Sequence, residues 1–202
     1  MAKLDVDIGF EEEDRWEGLA RLFDDVVQDY WGDGDEDLSS LEVEEIDPVT
    51  GVYAEAPFSE LLREAIQAAQ EIRTLRKNAP AGTVVIALLA VRLKDWDRLG
   101  SFLGEGGRGE VCAWVARRLE ELLRLDDDIG RTRPDTFVLM LRGIEPDQLQ
   151  DLADRCTQQV ESNLCEVHAD PIQIRVACGT VTWDGERADR LLESVWRAAD
   201  SE

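Results

Sequence analysis

Asp47-Pro-Val-Thr-Gly-Val-Tyr-Ala-Glu-Ala-Pro-Phe58 is the stretch at which the sequence changes character. Upstream of it, residues 1 to 46 hold 17 acidic and 3 basic side chains, a net of −14 out of −23 for the whole chain. Downstream, apolar segments of helical and of strand character alternate. The periodicity predicts a helix over Phe58 to Lys77. It then predicts a buried strand over Thr83 to Val91, where Val, Ile, Leu and Ala follow one another without a polar interruption. A helix over Glu110 to Leu125, a strand over Thr136 to Leu141, a helix over Pro146 to Leu164, a strand over Ile172 to Thr182 and a last helix over Ala188 to Ala199 complete the order. This is a mixed α and β domain with an internal hairpin over residues 47 to 202, preceded by an acidic segment over residues 1 to 46.

In the acidic segment, Trp16, Leu19, Leu22, Phe23, Val26, Val27 and Tyr30 recur at helical spacing, with Glu17, Arg21, Asp24, Asp25 and Gln28 on the other face. The expectation is an N-terminal amphipathic helix over residues 12 to 31, which either packs on its own domain or serves as an interface. Trp31-Gly-Asp-Gly-Asp-Glu-Asp-Leu-Ser-Ser40 follows as a loop or linker, since Gly, Asp and Ser compete with helical hydrogen bonding. Its spaced acidic residues lack the glutamate that closes an EF-hand loop, so calcium is discounted.

Composition narrows the function further. The 202-residue chain is 44% apolar, contains no run of 18 apolar residues, and starts without the apolar core of a signal peptide. A cytoplasmic domain with no membrane span is expected. Cys112, Cys156, Cys165 and Cys178 have no CxxC spacing, and His168 is the sole histidine. Buried thiols are expected rather than a zinc site or a disulfide framework, and no metal or cofactor is called for. With 45 acidic against 22 basic residues, the chain repels phosphate backbones, which argues against nucleic-acid binding.

The opening stretch resembles the DxLTGLxNRxxF start of GGDEF domains, the family that includes diguanylate cyclases. Later landmarks fall in order: the apolar strand, Gly104 where a GHxxGD segment begins, and Val115-Ala116-Arg117-Arg118-Leu119 in its helix. Arg131-Thr-Arg-Pro-Asp-Thr-Phe137 stands where the family has RYGGDEF. Val176-Ala-Cys-Gly179 resembles the vSiGva strand, and Leu191 to Ala199 the ADxALYxAK helix.

This resemblance implies an α+β fold with a central, mostly antiparallel sheet wrapped by helices. In active members two divalent ions, held by hard oxygen ligands, neutralise the triphosphate of GTP and the attacking hydroxyl. Here the first-strand metal position aligns with Arg92, a cation that repels such an ion. The signature, Arg133-Pro134-Asp135-Thr136-Phe137, keeps only Asp135 and Phe137; Arg and Pro replace glycines that let a nucleotide approach the backbone. The guanine-contacting positions align with Gly100 and Gly109, and the phosphate-binding lysine with Ala199. A chain without cyclase activity is expected, with a salt bridge from Arg92 to Asp135 in place of the metal.

The family's product-binding inhibitory site is an RxxD placed five residues before the signature, and Arg124-Leu-Asp-Asp127 matches that offset. The supporting arginine of the following helix falls at Arg155. The resemblance therefore implies cyclic-di-GMP binding by Arg124, Asp127 and Arg155. Guanidinium forks suit phosphate oxygens and the guanine O6/N7 edge, while a carboxylate accepts from guanine N1 and N2 hydrogens. Arg124 and Asp127 are equally readable as an i,i+3 surface pair at a helix end. The competing function is a protein-interaction or homodimerisation scaffold, docking through residues 12 to 31 without any nucleotide.

Overall fold

A computed structural model describes residues 45 to 75 and 86 to 201. The amphipathic helix expected over residues 12 to 31 and the linker behind it lie outside the described residues. In chain order the elements are β1 (Tyr53–Ala54), α1 (Glu55–Leu75), β2 (Ile86–Leu93), α2 (Trp96–Glu120), β3 (Asp128–Arg133), β4 (Thr136–Arg142), α3 (Pro146–Glu161), β5 (Leu164–Val167), β6 (Asp170–Gln173), β7 (Val176–Thr182) and α4 (Ala188–Asp200).

Five strands form one sheet in the order β1-β3-β4-β2-β7, antiparallel throughout except for β1 beside β3. The α+β class and the mostly antiparallel, helix-wrapped sheet thus stand as expected. β2 is an interior strand, paired with β4 on one side and β7 on the other, and it is buried on both faces. Ala87, Leu89, Val91 and Leu93 enter the core with Val111, Val115 and Leu119 of α2 and Leu149, Leu152 and Cys156 of α3. Ile86, Leu88 and Ala90 enter a second core with Phe58, Leu62 and Ile66 of α1 and Leu191 and Val195 of α4. This is why its sequence is continuously apolar rather than alternating. Along α1, Phe58, Leu62 and Ile66 recur every fourth residue and are at most 5% exposed. Burial of each contributes about 1.5–3 kcal/mol.

The boundaries differ from the sequence reading in ways that matter for function. The second helix starts at Trp96 rather than Glu110 and changes direction at Gly104 (φ 68°), a backbone conformation that suits glycine. It ends at Glu120 rather than Leu125. Leu125 is fully exposed, and the three carboxylates Asp126-Asp127-Asp128 would sit at the negative end of a longer helix, where they are unfavourable. The single strand expected over Ile172 to Thr182 is two. β6 pairs only with β5 in a separate hairpin, turned at His168 (φ 52°) and Ala169 (φ 69°), and β7 joins the main sheet. Accordingly α3 stops at Glu161 instead of Leu164. β3 was not expected at all: Gly130, Arg131 and Arg133 hide a strand whose buried positions are Ile129, Gly130 and Thr132.

β7 runs so close to α4 that a Cβ on Gly179 would come 2.2 Å from the Ala199 nitrogen. No helix among the described residues is long and apolar enough to cross a membrane.

Candidate functional site

The signature residues occupy the turn of the β3–β4 hairpin and its first rungs. Phe137 and Thr136 are buried, and Phe137 anchors the hairpin in the core of α2 and α3. Arg131 folds back over the turn, donating from Nη2 (2.7 Å) and Nε (3.2 Å) to the Pro134 carbonyl, while its Nη1 pairs with Asp47 at 3.4 Å. Burial raises the Asp47 carboxyl, but hydrogen bonds from Thr50 and the Arg131 guanidinium outweigh it, and the group is held below the usual carboxylate range.

The expected bridge from Arg92 to Asp135 is not made. Arg92 instead pairs with Asp200 at 3.1 Å and donates to the Ala199 carbonyl at 3.4 Å. The C-terminal end of α4 offers a carbonyl and a carboxylate together, a better cation partner than one side chain. Asp135 accepts from the Thr136 hydroxyl at 2.9 Å, and its carbonyl accepts from the Leu93 amide. Arg133 also pairs with Asp200, at 3.5 Å, and stacks 4.2 Å above the Trp196 ring. Two arginines thus converge on Asp200.

At Gly100, the Arg108 side chain occupies the space a side chain would need, 2.6 Å from an ideal Cβ, and stacks on Trp96 at 4.9 Å. Ala199 is buried against β7. Arg92, on β2 where the family resemblance expects a metal ligand, presents a positive charge, which does not suit a divalent ion. Among the described residues no group of three or more His, Cys, Asp or Glu side chains could hold a metal. Cys112, Cys156 and Cys165 are buried thiols pushed by burial to about 11, 12 and 11, so these three offer no ready thiolate; Cys178 is half-buried.

On the other side of the hairpin, Arg124, Asp127 and Arg155 come together. They line one recess of about 220 Å³, floored by Leu122, Ile144 and Leu152. Arg124 and Asp127 sit in the loop after α2, not on the helix. Their contact is not the side-chain pair expected of surface neighbours: Asp127 Oδ2 accepts from the Arg124 backbone amide at 3.0 Å. Asp127 Oδ1 accepts from the Arg142 amide at 3.3 Å, which ties the loop to the end of β4. Each carboxylate oxygen keeps a lone pair for a further donor. The guanidinium groups of Arg124 and Arg155 have no hydrogen-bond or ion-pair partner among the described residues, and both side chains are exposed.

Arg142 also lines this recess, a residue that sequence reasoning missed. Its signal was the hairpin register. Pairing of Asp128 with Met140 puts Arg142 beside the end of the RxxD loop, but only once β3 is known to be a strand.

Residues 44–202 match the family model described as diguanylate cyclase, GGDEF domain. The chain belongs to the GGDEF family. Among solved structures, the FimX GGDEF domain from Pseudomonas aeruginosa is 24% identical with a TM-score of 0.69, over 78% of this chain and 92% of that one. The DgcB GGDEF domain from Caulobacter crescentus, in complex with c-di-GMP, is 15% identical with a TM-score of 0.68, over 78% and 88%. The diguanylate cyclase SiaD, in complex with its activator SiaC from Pseudomonas aeruginosa, is 21% identical with a TM-score of 0.70, over 94% and 68%. Among curated proteins there is no sequence match to this chain.

Proposed function

We propose that this GGDEF domain is catalytically inactive and acts as a cyclic-di-GMP receptor through Arg124, Asp127 and Arg155. The observation that carries the reading is their convergence on one recess, with both guanidinium groups unpartnered among the described residues. An arginine with no protein partner keeps all its donors for a ligand. The DgcB domain from Caulobacter crescentus, of the same fold, is known in complex with c-di-GMP. Inactivity is supported by the other face. Arg92 and Arg133 are drawn onto Asp200 where metal and nucleotide would have to enter, and Arg108 packs over Gly100.

Isothermal calorimetry with cyclic-di-GMP tests the receptor reading. Saturable binding is expected, weakened about tenfold or more in Arg124→Ala, the scale of a charge-assisted hydrogen bond of about 1.5–3 kcal/mol. No saturable heat at high micromolar ligand, or an Arg124→Ala variant that binds like wild type, sinks it. Purified protein with GTP and Mg²⁺ or Mn²⁺ should make no cyclic-di-GMP, and turnover above a no-enzyme control refutes inactivity.

A nucleotide-independent scaffold is the second reading. Phe102 and Leu125, 77% and 101% exposed, are apolar groups on the surface of the described residues, and SiaD of Pseudomonas aeruginosa is known in complex with its activator. A flat calorimetric trace together with an unchanged fold favours it.

A further inference from the structure

Arg142 reaches the same recess from the sheet side, whereas Arg124 comes from the loop after α2 and Arg155 from α3. It is held unusually firmly for a surface arginine. Its Nη1 donates to the Asp126 carbonyl and to Asp128 Oδ2, the latter at 2.6 Å. Its backbone amide is the donor that fixes Asp127. Only Nη1 is engaged: Nε and Nη2, the outer edge of the fork, have no partner among the described residues. The side chain is 37% exposed and Asp128 is 21% exposed, so the clamp lies at the mouth of the recess rather than in the core.

Resting on the receptor reading above, we infer that Arg142 is a third ligand-contacting arginine of this recess. It presents its Nε–Nη2 edge to two oxygens of a phosphodiester while Asp128 and the Asp126 carbonyl keep the fork aimed. Asp127 and Asp151 line the recess beside Arg124 and Arg155, and the charge of Arg142 is offset by its pair with Asp128. What Arg142 adds is a second, directed edge of donors, which suits the oxygens of a phosphodiester. Pre-orientation by Asp128 also spares the loss of rotamer freedom that a long side chain otherwise suffers on binding.

A role as direct contact differs from a role as structural clamp in what lysine can replace. A lysine at this position keeps the charge and can keep the ion pair to Asp128, but it has no second edge. The test is calorimetric titration of cyclic-di-GMP into wild type, Arg142→Ala and Arg142→Lys, with a urea melt of each. Wild type should bind, Arg142→Ala should bind about tenfold or more weakly, and Arg142→Lys should stay within about threefold of the alanine variant despite near-normal stability. If Arg142→Ala binds as wild type does, the inference is overturned. Should the alanine variant prove unstable, the lysine variant decides alone, and recovery of wild-type affinity there assigns Arg142 to the clamp and overturns the inference. Absence of binding by wild type is a different failure: it removes the receptor reading, and this inference with it.

Discussion

Asp127→Asn should have two separable effects, because one carboxylate does two jobs. Its oxygens accept from the backbone amides of Arg124 (3.0 Å) and Arg142 (3.3 Å), and so close the RxxD loop onto the end of β4. An amide has one acceptor oxygen. The NH₂ group that replaces the other oxygen faces an N–H donor, so one of the two bonds becomes a repulsive contact. A hydrogen bond to a charged group contributes about 1.5–3 kcal/mol, and an amide left without a partner at this half-buried site costs somewhat less than that when water can reach it. A loss of about 1–2 kcal/mol in unfolding free energy is the expected sum. Asp127→Ala, which loses both bonds but introduces no opposed donor, should cost a similar amount. Urea unfolding followed by circular dichroism measures this part. The second effect is on ligand choice: an amide cannot accept from both guanine N1 and N2 hydrogens, so preference for cyclic-di-GMP over cyclic-di-AMP should shrink about tenfold in parallel titrations. Unfolding free energies of wild type and Asp127→Asn that agree within about 0.5 kcal/mol would refute the loop-closing role. A destabilised variant with undiminished preference would refute guanine recognition by this carboxylate while leaving its structural role intact.

Gly179→Ala should destabilise the domain by about 2–3 kcal/mol, because its new Cβ would lie 2.2 Å from the Ala199 nitrogen and 2.6 Å from the Ala198 carbonyl carbon, backbone that cannot move without shifting α4; a change below about 0.5 kcal/mol in urea unfolding would show that α4 docks less closely than described. Asp47, 19% exposed and held below its ordinary value of 3.8, is a carboxyl with a depressed folded-state pKa. Its contribution is therefore fully present above that ordinary value and is lost as pH falls through the lower folded value. The stability gap between wild type and Asp47→Asn should narrow as pH falls from about 5 to about 2.5, and a gap constant over that range contradicts the ion pair with Arg131.

What the sequence made legible follows from how the physics is written into it. β2 announces itself because a strand buried on both faces has no choice but to be apolar, and α4 because Leu191, Leu192, Val195 and Ala199 repeat at helical spacing. β3 was illegible for the opposite reason. Its partly exposed positions carry Arg131 and Arg133, whose contacts to Asp47 and to Trp196 are made across 84 and 63 positions of sequence. Arg124, Asp127 and Arg155 are singled out by their offsets from the signature, and all three line one recess. The partner of Arg92 was missed because a helix C-terminus is a collective acceptor that no single residue letter reports. Arg142 was missed because its neighbourhood depends on a register, not on a spacing.

The acidity of the chain and the anion binding proposed for the recess are compatible because they act over different distances. The chain carries −23, yet the recess gathers Arg124, Arg142 and Arg155, with Asp127 and Asp151 beside them and Asp128 paired to Arg142. At physiological ionic strength exposed charges are screened over about 8 Å. A small ligand seated in the recess would therefore be governed by the side chains within hydrogen-bonding reach, and three of those are arginines. A long polyanion meets the opposite balance. It presents phosphates over tens of ångströms and must lie along the surface of a chain in which acidic residues outnumber basic ones 45 to 22. A composition that disfavours a long polyanion is thus compatible with the dinucleotide binding proposed above.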